Sequence, residues 1–299
     1  MDRFHQLAVY VAVAEEESFA AGARRLGMSA PAVTRAVAAL EQSLGVSLLT
    51  RTTRYVRPTD AGLRYLDDAR QILSRLQEAD ESVAGINAAP RGHLTVTAPV
   101  LFGKIFVMPH VVEYLQRYED VEISALFLDR VVNMMEEGVD VGVRIGALPD
   151  SSMRAVRVGQ VRRLLCASPA YLRAHGIPQT PQDLQQHQIV AATGVTPSVE
   201  WKFGDGEQAT TVRIKPRMTV TTNDGAIEAV RHGAGITRLM SYQVAHDLRS
   251  GELQTVLSEY ESAPLPIHIV HRQGRTGSAK IRSFVDFMAE ALRGHSALG

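Results

Sequence analysis

The sequence predicts an α/β protein with a small helical N-terminal domain, one long helix and a two-lobed C-terminal domain. Three observations predict it. Residues 4–44 carry three short helical patterns with a glycine between the second and third, and residues 59–87 continue in one long amphipathic pattern. After about residue 92, strand patterns alternate with helical ones. A chain of 299 residues is long enough for two or three domains.

The first 44 residues predict a helix-turn-helix. Apolar side chains at positions 4, 7, 11 and 14 recur at helical spacing, and Ser18 is placed to cap a second helix. Gly27 fits the left-handed backbone conformation that ends this helix. Ser29 follows as the N-cap of a third helix, with Pro31 in its first turn, where a missing N–H does no harm. The third helix has a single apolar stripe, formed by Val33, Val37, Leu40 and Leu44.

Residues 45–58 alternate like strands, with arginines between the apolar positions, and predict a two-stranded wing. Thr59 then caps a helix that extends to about Asn87, a length of roughly 40 Å. Its apolar positions lie close to a heptad spacing and define the α4 seam, formed by Leu66, Ala69, Leu73, Leu76 and Val83. The wing and the short helices are too small to bury this seam fully, so we expect a second copy of the chain to cover it. Packing against the same chain's C-terminal domain is the alternative.

The segment NAAPRG at 87–92 predicts a hinge. After it, HLTVTAP, VEISALFL and VDVGVRIG predict strands, while residues 105–118 and VVNMMEEG predict helices, a rhythm typical of a mostly parallel sheet. A second such unit begins near residue 163 with RLLCAS, and strand PIHIVHR and a helix over 278–293 return to the first. We therefore predict a winged helix-turn-helix at 1–58, a linker helix at 59–87, a hinge at 88–91, lobe I at 92–162 completed by 266–293, and lobe II at 163–265.

The face of the third helix opposite its apolar stripe predicts contacts with DNA, because a helix in the major groove must leave its N-terminal side chains free for bases. The predicted base-contacting residues are Ser29, Ala30, Pro31, Ala32, Thr34 and Arg35. Six arginines and one acid lie between Arg24 and Arg57, and this local excess suits phosphates although the whole chain has a net charge of zero. Further predicted DNA contacts are Arg24, Arg25, Arg51, Thr52 and Arg54. A solvated arginine face on a three-helix bundle is the alternative.

The stretch FAAGARRLGMSAPAVTRAVAALEQSLGVSLLTRTTRYVRPTDAG resembles the N-terminal winged helix-turn-helix of LysR-type transcriptional regulators, and the similarity extends over the whole chain. Further matching pieces are VTAPVLFG, VDVGVRIGALPDSSM, ASPAYLRAHG and GITRLMSYQV. The resemblance implies a dimerising linker helix, a periplasmic-binding-protein-like effector domain and dimers that join into tetramers. It also implies an interrupted inverted repeat in double-stranded promoter DNA and an effect on RNA polymerase access. Ala30 departs from the family, which often has Gln at that position.

We expect a small organic effector, a carboxylate or an aromatic compound, in the cleft between the lobes, where strands end. The expected effector-binding residues are Pro99, Val100, Leu101, Phe102, Asp129, Arg144, Ile145, Asn223 and Thr237. The family often has hydroxyl side chains near Pro99 and Val100, so here backbone N–H groups would have to bind an anion. Arg144 could clamp a carboxylate, or it could pair with Asp129 or Asp140. Asn223 could be a helix cap, and Phe102, Phe127 and Trp201 could be core.

An enzyme is not expected, because the histidines have no metal-binding spacing and no nucleophile elbow, dinucleotide fingerprint or P-loop is present. The single cysteine, Cys166, rules out an intrachain disulfide and suits an inert strand position, and no metal cofactor is expected. The N-terminal apolar run is too short for a membrane span, so we expect a cytoplasmic protein. The rival functions are a solute-binding receptor and an architectural DNA-binding protein without an effector.

Overall fold

The computed structural model describes residues 2–51, 55–84, 89–148, 153–193, 200–206, 209–272 and 278–298. The chain divides into two compact units, Met1–Ala88 and Ala89–Gly299. The elements of the N-terminal unit are α1 (Arg3–Glu15), α2 (Phe19–Arg25), α3 (Ala30–Leu44), β1 (Leu49–Arg51), β2 (Val56–Pro58) and α4 (Asp60–Ala84).

The C-terminal unit contains twelve strands and six α-helices among its described residues. They are β3 (Gly92–Ala98), α5 (Val100–Phe102), α6 (Met108–Arg117), β4 (Val121–Phe127), β5 (Val141–Ile145), β6 (Met153–Val161), β7 (Arg163–Ala167), α7 (Pro169–His175), β8 (Ile189–Ala192), β9 (Glu200–Phe203), β10 (Thr210–Arg213), β11 (Pro216–Val220), α8 (Asn223–Arg231), β12 (Thr237–Met240), α9 (Ala245–Ser250), β13 (Gln254–Val256), β14 (Leu265–Arg272) and α10 (Ala279–Arg293).

The helix-turn-helix forms as its sequence predicts. The Ser18 hydroxyl accepts a hydrogen bond from the Ala21 N–H at 3.3 Å and caps α2. Gly27 has a φ of +62°, which only glycine adopts without strain, and this allows the tight turn into α3. Ser29 occupies the N-cap position of α3, but its carbonyl rather than its hydroxyl accepts the first N–H groups, from Ala32 and Val33.

The wing is a two-stranded antiparallel sheet in which Leu49 pairs with Pro58. Thr59 caps α4 as predicted, because its hydroxyl accepts from the Gly62 N–H at 3.0 Å. One core unites the N-terminal unit, formed by apolar side chains from α1, α2, α3, the wing and the first turns of α4. Its fully buried members include Val9, Tyr10, Val13, Val33, Ala36, Val37, Leu40 and Ala69.

Lobe I is built on a five-stranded sheet with the order β4-β3-β5-β14-β6. β3 runs parallel to β4 and β5, whereas β14 runs antiparallel to β5 and β6. A π-helical segment, Gly103–Val107, connects α5 and α6 into one continuous helix that begins directly after β3. The carboxyl ends of β3 and β5 therefore lie at the same edge, which is where an open α/β sheet binds ligands.

The predicted helix over VVNMMEEG is wrong, because residues 131–138 form an irregular segment and turns. The Asn133 side-chain oxygen accepts from the Met135 N–H at 3.2 Å, a local bond that competes with helix formation. Glu137 accepts from the Asn133 N–H at 3.0 Å and from both terminal nitrogens of Arg130. These side-chain contacts hold the segment as a loop beside the edge of the sheet.

Lobe II differs from the predicted second parallel unit. β7 runs antiparallel to both of its neighbours, β12 and β13, whereas β8 pairs in parallel with β11. β9 and β10 form the predicted hairpin. Two apolar clusters cover opposite faces of β7: Leu165 packs with Trp201 on one face, and Leu164 and Cys166 pack with α8 on the other.

The two lobes are joined by aromatic packing and by an ion pair between the crossing segments. Tyr242, which follows β12, packs in the lobe I core with its ring centroid 5.4 Å from that of Phe102 and 5.6 Å from that of Phe106. Arg162 and Glu261 lie at the two crossings, and their charged groups are 3.4 Å apart.

Candidate nucleic-acid interface and effector cleft

Helix α3 buries one side and exposes the other. Val33, Ala36, Val37 and Leu40 are fully buried, whereas the N-cap and the opposite face are open to solvent. The exposed positions are Ser29, Ala30, Pro31, Thr34, Arg35 and Ala38, with Ala32 half-buried. These positions include every base-contacting residue predicted on this helix, and they form one continuous surface near its N-terminus.

Two side chains on this surface, Thr34 and Arg35, offer different groups to a ligand. The Thr34 hydroxyl donates to the Ala30 carbonyl at 2.9 Å, so its oxygen lone pairs and its methyl group are the parts left for a ligand. Arg35 is exposed and makes no ion pair with any described residue. Its guanidinium is therefore available for bidentate hydrogen bonds to a guanine or for a phosphate.

The arginines flanking α3 are not equivalent. Arg24 is exposed at the end of α2, and within the described residues it has no acidic partner. Arg25, by contrast, donates to Glu15 at 2.7 Å and lies 3.6 Å from Glu16. That Arg25 contacts DNA stays a prediction: its ion pairs with Glu15 and Glu16 hold α2 against the end of α1, whereas Arg24 has no such competing contact among the described residues.

Glu41, the one acid among the arginines of this segment, shapes the wing. Its carboxylate oxygen accepts from the Leu48 N–H at 2.8 Å and from the Leu49 N–H at 3.0 Å, where β1 begins. From the sequence, Glu41 could be recognised only as a negative charge, because its contacts with the wing depend on the fold.

Arg57 stacks over Tyr55 at 5.2 Å and remains exposed on the wing. The predicted contacts Thr52 and Arg54, and the side chain of Arg51, lie outside the described residues.

In the C-terminal unit, a carboxylate bridges the two lobes at the predicted effector cleft. One oxygen of Asp129 accepts from the Val100 N–H at 3.0 Å, and the other accepts from the Asn223 side-chain amide at 3.1 Å. Val100 begins α5 in lobe I, and Asn223 begins α8 in lobe II. We call this pair of hydrogen bonds the Asp129 bridge. It joins three of the predicted effector-binding residues at one point.

The residues near the Asp129 bridge have distinct environments. Pro99 is the half-buried N-cap of α5, and Leu101 packs against the cores of both lobes. Phe102 is fully buried in the lobe I core, so the prediction that it lines the mouth of the cleft is wrong. Thr222, and not Asn223, caps α8, because its hydroxyl accepts from the Gly225 N–H at 3.2 Å. Asn223 is thereby free to reach across to lobe I.

Arg144 neither pairs with Asp129 or Asp140 nor contacts lobe II among the described residues. Its guanidinium donates to the Val132 carbonyl at 2.6 Å, and burial lowers its pKa. Asp140 instead accepts from the Thr95 N–H at 2.8 Å. Arg144 therefore holds the 131–138 segment against the sheet. Ile145 packs on the lobe I core, and Thr237 is fully buried with its hydroxyl unpartnered by any described residue.

Comparison with known proteins decides the family. A sequence model described as the LysR substrate binding domain matches residues 87–293. A second, described as the bacterial regulatory helix-turn-helix protein of the lysR family, matches residues 4–63. The chain belongs to the LysR family. It is a transcriptional regulator with a DNA-binding helix-turn-helix domain and an effector-binding domain, and this supports a regulator over a solute-binding receptor without a DNA-binding role.

The LysR relatives match over nearly their whole length. The HTH-type transcriptional regulator CrgA of Neisseria meningitidis serogroup B is 31% identical over 288 residues, or 96% of this chain and 96% of that protein. A solved structure of CrgA has a TM-score of 0.62 and 31% identity, and covers 97% of this chain and 99% of its own. The full-length structure of the Vibrio cholerae virulence activator AphB has a TM-score of 0.61 and 26% identity, with coverage of 97% and 99%.

The α4 seam expected for a LysR linker helix needs a correction. Leu66 and Ala69 are 6% and 0% exposed, and Leu73 packs beside them in the core of the same DNA-binding domain. They are therefore not available to a partner chain. Farther along α4, Ile72 and Leu76 are 40% and 38% exposed. The predicted seam residue Val83 has a side chain outside the described residues.

The single cysteine of this LysR regulator lies in the interior of lobe II. Cys166 is fully buried, and burial raises the pKa of its thiol to about 12. A thiol that stays protonated is a poor nucleophile, so this environment supports the expectation of an inert cysteine, which stays a prediction. Within the described ranges, no helix combines the length and hydropathy of a membrane span, and no group of three potential ligands is placed to hold a metal ion.

Two arginines of lobe II were not among the predicted effector-binding residues. Arg163 and Arg238 lie on the β7 and β12 strands, and Arg238 stacks over the Trp201 ring at 4.8 Å. Burial lowers the pKa of both guanidinium groups. The sequence shows where the arginines are, but whether an acidic side chain pairs with them depends on the fold.

Proposed function

We propose that two copies of this regulator pair through α4 and place two α3 helices on an inverted repeat in double-stranded promoter DNA. The observation that carries the DNA-binding part is that α3 has one fully buried side and one solvent-exposed side, and that the exposed side carries Arg35. One helix of this size contacts only a few base pairs, so two heads are needed for a selective site. We place this activity in the cytoplasm, where the chain would control access of RNA polymerase.

Binding to the regulator's own upstream DNA tests this proposal. We expect at least a thousandfold preference for that fragment over an unrelated duplex, and an affinity that falls steeply with salt. Fluorescence anisotropy with labelled duplexes of equal length measures both. Equal affinity for the two duplexes would favour an architectural DNA-binding protein.

The surface proposed for pairing is the apolar face of α4 around Ile72 and Leu76. Ile72 and Leu76 are 40% and 38% exposed, and because they lie four residues apart on one face of α4, one partner helix could cover both. By family resemblance, we also propose that dimers join through the effector domains. The exposed side chains Ile105, Met108 and Val112, spaced along the lobe I helix, are suited to that contact.

Leu76→Glu is expected to convert the protein to a species with half the wild-type subunit number or to monomers, because a charge at the centre of an apolar interface is costly to bury. Size-exclusion chromatography with light scattering at micromolar concentration measures this. DNA affinity should fall at least tenfold, because the two heads no longer bind together. Asp67→Gln, on the opposite face of the same helix, is the control and should leave the mass unchanged. A wild-type mass for Leu76→Glu would place the pairing surface elsewhere.

We propose that the effector is a small organic anion that binds at the Val100 N–H in place of the Asp129 carboxylate. The first turn of a helix is suited to anions, and here the chain supplies its own carboxylate at that position. An effector carboxylate that takes this position would release Asp129 from Val100 and Asn223. The lobes would then lose one of their contacts and shift. Through the hinge at 88–91, the shift would change the spacing of the two DNA-binding heads.

Asp129→Ala is expected to raise the affinity for small carboxylates by roughly tenfold, which corresponds to about 1.4 kcal/mol of competition removed. Without ligand, the effector domain should be destabilised by about 1–3 kcal/mol, because charged hydrogen bonds are lost. Thermal unfolding of the full-length protein with increasing benzoate or succinate measures both effects. Glu119→Ala, an exposed acid of the same lobe, is the control. A weaker carboxylate affinity in Asp129→Ala would contradict the proposed competition between Asp129 and the effector.

A further inference from the structure

Lobe II carries two arginines that lie together on one face of its sheet, and no acidic side chain among the described residues pairs with either of them. β12 and β7 are antiparallel, with Arg238 opposite Leu165 and Met240 opposite Arg163. Arg238 and Arg163 are therefore diagonal neighbours on the same face, with side-chain origins about 7–8 Å apart, within reach of long side chains. This is the face that packs with Trp201, and the sheet separates it from α8 and the Asp129 bridge.

Neither guanidinium has an anionic partner among the described residues. No hydrogen bond or ion pair joins Arg163 or Arg238 to a described side chain, and the one close contact is the stacking of Arg238 on Trp201 at 4.8 Å. The acid at the nearby crossing segment, Glu261, pairs with Arg162 instead. Arg238 is half-buried, and a charge that is partly removed from water is costly unless an opposite charge offsets it.

The electrostatics of the pair support the same conclusion. Burial and, to a smaller extent, the positive charge of Arg163 together lower the pKa of Arg238 to about 9. Arg238 still carries its proton at neutral pH, so two like charges face each other in a partly enclosed place. Arg163 is exposed and Arg238 is half-buried, which leaves a route for a ligand. An oxyanion there would accept several of the unused N–H groups and offset the repulsion.

We propose that Arg163 and Arg238 form a second ligand site, in lobe II, for the carboxylate or phosphate group of a small anionic metabolite. Two guanidinium forks suit a group with several oxygen acceptors. The stacked indole fixes the orientation of one fork in advance, which reduces the conformational freedom lost on binding. The site lies on the other face of the sheet from the proposed effector position, so it can be occupied independently of it.

The single tryptophan of the chain makes this site directly observable. Fluorescence of the full-length protein, excited at 295 nm, is titrated with citrate in one arm and with inorganic phosphate in the other, at constant ionic strength. We expect a saturable change in at least one arm, because an anion that draws on Arg238 alters the environment of Trp201. The arm that saturates at lower concentration identifies the carboxylate or the phosphate as the preferred group.

Variants decide whether the arginines are responsible. Arg238→Gln and Arg163→Gln should each weaken the binding in the saturating arm at least tenfold, whereas Arg173→Gln, an exposed arginine on α7 of the same lobe, should not. Without anion, Arg238→Gln should unfold at the wild-type temperature or above it, because an unpaired charge has been removed from a half-buried place. Citrate or phosphate should raise the unfolding temperature of the wild type but not that of this variant.

Three results would overturn the proposal. Fluorescence that changes linearly without saturation in both arms would indicate an adventitious ion only. Equal binding by the wild type and both arginine variants would place the anion elsewhere. A large fall in the unfolding temperature of anion-free Arg238→Gln, with anion binding retained, would give Arg238 a purely structural role on Trp201. DNA binding measured in parallel is independent of all three, so failure here leaves the proposed function standing.

Discussion

Arg35→Ala is expected to lower the affinity for the upstream operator by about 1–3 kcal/mol, or roughly 5- to 150-fold, and to abolish discrimination at one base pair of each half-site. Arg35 lies on the free face of α3, and no acid among the described residues competes for its guanidinium. A bidentate contact to guanine is lost completely when the side chain is removed. Anisotropy titrations with a set of singly substituted operator duplexes measure the discrimination position by position.

Arg24→Ala provides the matched control, because it removes an equally exposed arginine from the neighbouring helix α2. Its removal should weaken all duplexes by a similar factor and reduce the slope of affinity against salt by about one, as expected of a phosphate contact. Arg25→Ala should instead destabilise the domain through the lost Glu15 contact. If Arg35→Ala behaved like Arg24→Ala on every duplex, Arg35 would be a phosphate contact and the base-contacting residue would be another.

The helix-turn-helix could be predicted because its signals are local. Gly27 marks the left-handed turn, and the spacing of Val33, Val37 and Leu40 identifies the buried side of α3. The spacing of apolar residues on α4 is equally clear, but spacing does not show which surface covers them. Leu66 and Ala69 pack inside their own domain, and only the positions farther along the helix are left for a partner.

The effector domain could be predicted as alternating strands and helices, but the contacts at its cleft could not. Asp129 and Asn223 are 94 positions apart, and their contact depends on how the two lobes meet. Arg144 was placed correctly near a strand end, yet its partner is the carbonyl of Val132, a group that every residue carries. In VVNMMEEG, the Asn133 side chain accepts a hydrogen bond from the nearby Met135 N–H, and this bond competes with helix formation. The spacing of the apolar residues does not reveal such a bond.

Gly62→Ala is expected to destabilise the DNA-binding domain by about 3 kcal/mol and to abolish operator binding at physiological temperature. A Cβ at this position would lie 2.0 Å from the Leu48 carbonyl oxygen and 3.0 Å from the Tyr10 hydroxyl. Leu48 precedes β1 and contributes a backbone atom, so no rotation of a side chain relieves the clash. Either α4 moves away from the wing or the wing moves away from α3.

Calorimetry separates this effect from a general loss of stability. Because the chain divides into two compact units, we expect the effector domain to unfold at an unchanged temperature, whereas the transition of the DNA-binding domain falls by more than about 10 °C. Tyr10→Phe is a milder change at the same contact, because it removes only the 2.8 Å hydrogen bond from the tyrosine hydroxyl to the Gly62 carbonyl. We expect it to lower the free energy of unfolding by about 1 kcal/mol. The close packing of α4 on the wing would be refuted by a Gly62→Ala protein that is no less stable than Tyr10→Phe. The sequence TDAG would then serve only to cap the helix.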